Sequence, residues 1–187
     1  KIELPEVSAS TKKRWGKCNT LTAGYGHGIN TTPIQLTRAF AAIINGGYLF
    51  DISLLKNKDP KFKSKIISKK NSEIMRKILR TNVDNNYARG GSGRKADIKG
   101  YNVMGKTGTA EKPLKFSKGY SNEILNIFTS AFEVNKKLYV LTVVIDEPKG
   151  SKKLWGHNRR EAGWNAGYAN GQIIEKIGPI LNTLKFD

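Results

Sequence analysis

Four consecutive residues, Lys106-Thr107-Gly108-Thr109, combine groups that could bind an anionic acyl substrate. We call them the KTGT segment. A lysine ammonium supplies positive potential and can relay a proton, and threonine hydroxyls can donate hydrogen bonds to a carboxylate. The glycine lets a ligand approach the strand backbone, and the N–H group after it can face a developing oxyanion. The same four residues also fit the polar end of an ordinary strand, so the surrounding chain must decide between these interpretations.

The elements around this segment are predicted from hydrophobic periodicity and from residues that begin and end helices. A helix is expected to begin at Pro33 after the N-cap residue Thr32, and to end at Asn45-Gly46-Gly47. A second helix is expected to begin at Asn71-Ser72-Glu73, followed by a flexible glycine-rich loop at residues 90–94. Its predicted buried face carries four apolar residues, Ile74, Met75, Ile78 and Leu79.

Three strands and a terminal helix are predicted for the second half of the chain. The strands are expected at residues 101–105, 127–134 and 138–145, the last two joined by a two-residue hairpin turn at Asn135-Lys136. Residues 138–145 are nearly all apolar or β-branched, so this strand should be central in the complete domain. The final helix follows Gly163, and its predicted buried stripe is Ile173, Ile174, Ile177, Ile180, Leu181 and Leu184.

The remaining segments are expected to be less regular. Residues 1–22 are interpreted as an irregular lead-in, residues 48–55 as extended and the lysine-rich residues 56–70 as a solvated excursion. The order of helices, then antiparallel strands, then a helix predicts an α+β domain.

Composition limits the possible functions without selecting one. With 187 residues the chain is long enough for one domain, and its net charge of +18 attracts any anionic surface. One cysteine, Cys18, and two widely separated histidines, His27 and His157, predict no metal site. No apolar stretch is long enough to span a bilayer. Because the chain lacks an initiating methionine, we interpret it as a processed or deliberately excised piece, and we expect any targeting information to lie upstream.

Three blocks of sequence, in the same order and with similar spacing, resemble class B penicillin-binding proteins. The blocks are residues 24–29 with 32–36 and the helix end at 41–47, then residues 90–110, then residues 162–166. The cell-division branch, the septal transpeptidases, is the most similar. The resemblance implies that residues 1–187 are the C-terminal part of the transpeptidase domain, with no separate second domain. The implied fold is a partial penicillin-binding transpeptidase (serine β-lactamase-like) fold, an antiparallel sheet flanked by helices.

The resemblance also implies a function for the parent protein. It would be a peptidoglycan D,D-transpeptidase that cross-links stem peptides through a serine acyl-enzyme at the division septum. It would be anchored in the bacterial inner membrane, face the periplasm, bind β-lactam antibiotics and act with divisome proteins. The resemblance implies no metal or organic cofactor, and we expect no nucleic-acid partner.

The KTGT segment acquires specific roles from this resemblance. Lys106 corresponds to the lysine of the family's third motif, and we count Lys106 and Thr109 as catalytic. Thr107 and Thr109 would contact the carboxylate of a D-alanyl-D-alanine stem or a β-lactam, and Gly108 would permit the close approach. The Thr109 N–H would form half of the oxyanion hole. His27, where relatives often have glutamine, is interpreted as a polar loop residue rather than a catalytic base.

The nucleophilic serine of the family is not predicted within this chain. Its Ser-x-x-Lys and Ser-x-Asn motifs precede the block at residue 24 in the family, and no Ser-x-Asn occurs here. Ser10-Thr11-Lys12-Lys13 has the first spacing, but it lies in a polar, broken segment rather than opening a buried helix. Tyr168-Ala169-Asn170 follows the KTGT segment, so we treat both matches as accidental. The chain alone should be inactive, and its exposed sheet edge is expected to cause self-association.

The sequence alone leaves two alternatives open. A serine β-lactamase or carboxypeptidase fragment would share the KTGT strand, although residues 24–47 favour a class B protein. A basic, non-catalytic binding module would instead bind nucleic acid or another anionic surface, with a steep salt dependence. The lysines at residues 56–70 lack interleaved aromatic residues, which favours a solvated charged face over such a site.

Overall fold

A three-stranded antiparallel sheet with helices on both faces forms the centre of the protein. The computed structural model describes residues 3–5, 7, 10–11, 14–55, 59–86, 90–114, 116–117 and 119–184. The elements in chain order are β1 (Ser10–Thr11), α1 (Lys17–Ala23), β2 (Ile29–Asn30), α2 (Pro33–Ile44), β3 (Tyr48–Phe50), β4 (Phe62–Lys65), α3 (Lys69–Thr81), a 3₁₀ turn (Arg94–Ala96), β5 (Met104–Pro113), β6 (Tyr120–Val134), β7 (Lys137–Asp146), α4 (Lys152–Trp155), a second 3₁₀ turn (Ala162–Trp164) and α5 (Ala166–Thr183).

The central sheet has the order β5-β6-β7, and all neighbouring strands are antiparallel. The predicted hairpin at Asn135-Lys136 joins β6 to β7, and both residues have positive φ, 50° and 63°, as a tight two-residue turn requires. The predicted strand at residues 101–105 was wrong in its bounds. β5 begins at Met104 and continues through the KTGT segment, because the backbone of these polar residues pairs with β6 whatever their side chains are. The next strand likewise begins at Tyr120 rather than at residue 127.

The core lies on both faces of this sheet, as the α+β prediction requires. On one face Phe128 and Phe132 pack against Ile174 of α5. On the other face Met104 and Ala131 pack against α2 and α3. Each face buries apolar area that stabilises the fold by about 25 cal/mol per Å².

The helix α2 confirms its prediction at both ends. The Thr32 hydroxyl accepts from the backbone N–H of Gln35 at 3.3 Å, and the Gln35 side chain accepts in return from the Thr32 N–H at 3.3 Å. Pro33 occupies the first turn, and Asn45 is the C-cap. These contacts join residues within one helical turn, so the sequence alone is sufficient to predict them.

The helix α3 begins earlier than predicted, and only part of its predicted inward face is buried: Leu79 lies in the core and Met75 is half-buried. It starts at Lys69 because the Ser68 hydroxyl caps it by accepting from the Asn71 N–H at 3.1 Å. Two residues of the predicted buried face, Ile74 and Ile78, are 45% and 54% exposed. Ser72 is buried instead, and its hydroxyl donates to the Ile43 carbonyl of α2 at 2.6 Å and accepts from the Gly46 N–H at 3.0 Å.

Other predicted segments also differ from the structure. The expected irregular lead-in contains α1, and β1 pairs with β2. The expected solvated excursion contains β4, whose residues are all exposed but pair with β3; residues 56–58 lie outside the described part. In α5 the predicted stripe is only partly buried, since Ile180 and Leu184 are 60% and 47% exposed. Small residues make up much of the buried surface of α5 instead: Ala166, Gly167, Gly171 and Gly178. No helix within the described ranges is long and apolar enough to cross a membrane.

Candidate active site

The KTGT segment occupies the middle of β5, at one edge of the described central sheet. Successive side chains of a strand point to opposite faces. Thr107 therefore shares the α5 face with its neighbour Thr109, whereas Lys106 and Gly108 share the face of α2 and α3. Lys106, Gly108 and Thr109 are exposed, and Thr107 is half-buried. The segment thus presents a charge, two hydroxyls and a bare backbone position at an accessible edge.

The Lys106 ammonium bends back over its own strand. Its Nζ donates to the Thr107 carbonyl oxygen at 2.9 Å and lies 3.4 Å from the Thr107 Oγ1. The neighbouring threonine thus offers the ammonium two oxygens, and Lys106 as a residue is exposed. The charge is therefore available to a ligand beside the strand.

The Thr107 hydroxyl belongs to a hydrogen-bonded chain that sequence reasoning missed. Its Oγ1 lies 2.8 Å from the Ser92 Oγ, and Ser92 donates to the Asn82 Oδ1 at 2.9 Å. The Asn82 Nδ2 donates in turn to the Gly105 carbonyl at 2.7 Å. These hydrogen bonds connect Asn82, the residue that follows α3, with the glycine-rich loop and with β5.

The glycine-rich loop is packed, which corrects the expectation of a flexible one at residues 90–94. A side chain at Gly91 would overlap the Asn82 backbone, and the buried Gly93 donates its N–H to the Asn82 carbonyl at 3.0 Å. Glycines flanking a single hydroxyl residue were the signal that could have identified Ser92. Ser92-Gly93-Arg94-Lys95 also has Ser-x-x-Lys spacing, but the Lys95 ammonium lies 4.5 Å from the centre of the Trp155 ring.

The Thr109 hydroxyl is held by a different element, the second 3₁₀ turn. Its Oγ1 accepts from the buried Ala162 N–H at 3.2 Å. Gly163 lies so close to the Ser92 carbonyl that a Cβ there would overlap it. The blocks of sequence around residues 92 and 163 therefore meet each other and the KTGT segment in space.

The structure explains the glycine at position 105 of β5 but not the glycine at position 108. A Cβ at Gly105 would lie 2.7 Å from the Phe128 ring and 2.9 Å from the Thr129 carbonyl, so packing excludes a side chain there. A Cβ at Gly108 would lie 3.9 Å from its nearest neighbours, both atoms of Ile127. The described residues leave room for a side chain at Gly108, so internal packing does not explain this glycine.

A cleft of about 520 Å³ extends along β5 beyond Thr109. The residues that line it are Tyr25, Gly26, His27, Thr109, Ala110, Glu111, Tyr120, Ile124, Arg160 and Glu161. The His27 Nδ1 lies 3.2 Å from the Tyr120 hydroxyl oxygen. His27 is an exposed turn residue, as predicted, but it lines the same cleft as Thr109 despite its distance in sequence.

The two accidental motif matches make contacts elsewhere. Ser10 is exposed on β1, where it accepts from the Asn30 amide at 3.3 Å; Lys13 lies outside the described residues. Asn170 is buried in α5, accepts from the Ser130 hydroxyl at 2.7 Å and donates to the Leu141 carbonyl at 3.2 Å. The described part of the chain contains no group of three or more histidine, cysteine, aspartate or glutamate residues that could hold a metal ion.

A family model and a curated relative match this chain. The family model of the penicillin binding protein transpeptidase domain matches residues 1–165. A probable peptidoglycan D,D-transpeptidase FtsI from Caulobacter vibrioides is 34% identical over 192 residues, which cover 98% of this chain. The chain spans 32% of the length of that relative.

Solved structures show the same fold. The apo transpeptidase domain of Burkholderia pseudomallei penicillin-binding protein 3 superposes with a TM-score of 0.79 at 26% identity, covering 98% of this chain and 53% of that one. Penicillin-binding protein 3 of Mycobacterium tuberculosis, in its complex with ampicillin, superposes with a TM-score of 0.68 at 22% identity, covering 87% of this chain and 38% of that one. The chain therefore belongs to the penicillin-binding protein transpeptidase domain family, as a C-terminal portion of an FtsI-type class B domain.

Proposed function

We propose that the full-length protein is a peptidoglycan D,D-transpeptidase and that this segment supplies its substrate-binding strand. A serine elsewhere in the protein attacks the carbonyl of the D-alanyl-D-alanine peptide bond, which breaks and releases the terminal D-alanine, leaving an acyl-enzyme ester. An amine of a second stem then attacks this ester, forms the cross-linking amide and frees the serine. β-Lactams react with the same serine. The family membership of residues 1–165 and the FtsI name of the relative support this reaction class.

The observation that carries the proposal is the exposed KTGT segment beside an open cleft. Gly108 has space for a side chain that the protein does not use, as expected where a ligand lies against the strand. The Lys106 charge and the Thr109 hydroxyl bind the substrate carboxylate, and the Thr109 N–H serves the oxyanion hole. Thr107 completes the binding segment next to Lys106. The cleft past Thr109 accommodates the stem peptide that precedes the scissile bond.

We also propose the cellular setting that the family resemblance of the sequence implies. The full-length protein acts at the division septum from the inner membrane, with its catalytic domain in the periplasm and divisome proteins as partners. We propose further that residues 1–187 all belong to a single domain and form one continuous part of it.

Acylation of the full-length protein by fluorescent penicillin tests the function. We expect saturable, covalent labelling that Lys106→Gln reduces at least tenfold, because the substituted side chain loses the charge at the binding strand. Lys136→Gln, in the exposed β6–β7 turn, is the matched control and should label like the wild type. Absence of labelling in the wild type would refute the proposal. Rapid loss of the label by hydrolysis would favour the β-lactamase alternative.

A further inference from the structure

We propose that Ser92, oriented by Asn82, determines the direction of the proton on the Thr107 hydroxyl, so that the two threonines of the KTGT segment have opposite roles. Thr107 acts as an acceptor that holds the Lys106 ammonium, and Thr109 is the hydroxyl that donates to the substrate carboxylate. Ser92 and Asn82 are positioning residues in this scheme. The inference rests on the proposed transpeptidase function and refines the site that carries it.

The Gly105 carbonyl determines the orientation of the Asn82 side-chain amide. Its Nδ2 lies 2.7 Å from the Gly105 carbonyl oxygen, which can only accept a hydrogen bond. The amide group facing Gly105 must therefore be the NH₂, and the Asn82 Oδ1 faces Ser92. The backbone of Asn82 is held separately, because its main-chain carbonyl accepts from the Gly93 N–H at 3.0 Å.

The orientation of the Asn82 amide determines where the Ser92 hydroxyl proton points. A hydroxyl has one proton, and Ser92 gives it to the Asn82 Oδ1 at 2.9 Å because that oxygen has none to give. Toward Thr107, at 2.8 Å, the Ser92 oxygen can then only accept. The Thr107 proton therefore points into the protein, at Ser92.

The backbone around Ser92 fixes its position. The direction of the hydrogen bond between Thr107 and Ser92 is therefore also fixed. Gly91 has no room for a side chain against Asn82, and Gly163 has none against the Ser92 carbonyl. Ser92 itself is exposed, so its place beside Thr107 depends on these two close backbone approaches rather than on burial of its own side chain.

The two threonines consequently present different groups to a ligand. The Thr107 Oγ1 has lone pairs left, and the Lys106 Nζ lies 3.4 Å from it and 2.9 Å from the Thr107 carbonyl. The Thr109 Oγ1 instead accepts from the Ala162 N–H at 3.2 Å, a bond that leaves its own proton free. An anionic carboxylate is attracted by that free proton and repelled by lone pairs, so it binds at Thr109 and Lys106.

The test compares acylation of the full-length protein by benzylpenicillin and by its methyl ester, which lacks the carboxylate charge. The ratio of the two rate constants measures carboxylate recognition. We expect Thr109→Val to reduce this ratio by about ten- to a hundredfold, the range for a charge-assisted hydrogen bond. Thr107→Val should slow both reactions but change the ratio by less than about threefold, and Thr107→Ser should restore the wild-type rates.

The variant Ser92→Ala provides the second arm. It removes the internal acceptor, so the Thr107 proton becomes available to a ligand. In the Ser92→Ala background, Thr109→Val should therefore reduce the ratio of acid to ester acylation rates much less than it does in the wild type. Adding Thr107→Val to this double variant should reduce the ratio again, to the value seen for Thr109→Val alone. A role of Ser92 in folding alone would not move this ratio.

Two results would overturn the inference alone. One is an equal loss of the ratio in Thr107→Val and Thr109→Val. The other is an unchanged Thr109→Val effect in the Ser92→Ala background. Failure of wild-type protein to react with benzylpenicillin would overturn the proposed function, and this inference with it.

Discussion

The backbone N–H of Ala162 donates a hydrogen bond of 3.2 Å to the hydroxyl of Thr109, across 53 positions of sequence. Ala162 is 1% exposed, so this N–H has no access to solvent. The same hydroxyl is thus an internal acceptor and a candidate donor to the substrate. Its removal should affect stability as well as acylation.

Thr109→Val in the full-length protein should reduce the rate of acylation by β-lactams about ten- to a hundredfold, through loss of a charge-assisted hydrogen bond. The orphaned Ala162 N–H should also lower the free energy of unfolding by about 1–3 kcal/mol. Thr109→Ser keeps the hydroxyl and should be close to wild type in both measurements. Unchanged acylation kinetics in Thr109→Val would remove Thr109 from the site.

Gly105→Ala and Gly108→Ala should separate packing from ligand binding. At Gly105 the new methyl group would press on Phe128, and we expect a loss of about 1–3 kcal/mol in the free energy of unfolding. At Gly108 the methyl group meets only Ile127, at 3.9 Å, so stability should be unchanged or slightly higher while acylation slows. Denaturant unfolding and labelling by fluorescent penicillin measure the two effects. A Gly108→Ala variant with full acylation would contradict close ligand approach at this position.

The carboxylate of Asp97 should contribute to stability in a way that depends on pH. Burial acts to raise the pKa of Asp97, but hydrogen bonds from Arg80 and the Asn85 N–H, with the Arg80 charge, outweigh it and hold the pKa below its ordinary value of 3.8. The Arg80 guanidinium binds both carboxylate oxygens, at 2.7 and 3.2 Å. These bonds stabilise the fold above the unfolded-state pKa, and the contribution is lost as the pH falls through the lower folded-state pKa.

Asp97→Asn should therefore flatten the acid limb of the stability curve below about pH 4, where the unfolded wild type binds more protons than the folded one. The variant should also be less stable at neutral pH. The matched control is Asp59→Asn, at an exposed position, which should retain the wild-type curve. Denaturant midpoints measured from pH 2.5 to 7 test the prediction, and parallel curves for wild type and Asp97→Asn would contradict it.

The 187-residue chain alone should form no covalent adduct with penicillin. Acylation needs an activated nucleophile, a proton acceptor beside it and a complete oxyanion hole. Lys106 and the Thr109 N–H supply only part of this set. Intact-protein mass spectrometry after incubation with excess benzylpenicillin measures the outcome. A stoichiometric adduct would contradict the prediction, and its position on Ser10 or on Ser92 would identify the reactive group.

The isolated chain should also self-associate through β7. Within the described residues β7 pairs on one side only, with β6, and residues 140–145 of this strand are mostly apolar. Such an edge favours pairing with a second strand. Sedimentation should show dimers or larger species, and Val144→Lys, at an exposed position of β7, should reduce them. A stable monomer at high concentration would show that this edge is not adhesive.

Local signals in the sequence were sufficient for several features. Thr32, Pro33 and Gln35 determine the start of α2 because capping and proline geometry act within one helical turn. The hairpin at Asn135-Lys136 follows from two turn residues between apolar strands. The KTGT segment likewise identified the candidate strand, since its four chemical groups are consecutive.

Features that depend on distant partners were not predictable in this way. The length of β5 is determined by backbone pairing with β6, and the inward face of α3 by the bonds of Ser72 to the end of α2. His27 and Thr109 line one cleft although 82 positions separate them in sequence.

The chemical types in the candidate site were thus determined by the sequence itself: an ammonium, two hydroxyls and a glycine at consecutive positions. Their hydrogen-bonding directions were decided only by tertiary structure. Ser92, which is hydrogen-bonded to Asn82, contacts the Thr107 hydroxyl, and the Ala162 N–H contacts the Thr109 hydroxyl. A hydroxyl can donate or accept with equal ease, so its role is determined by the partner that the fold brings to it.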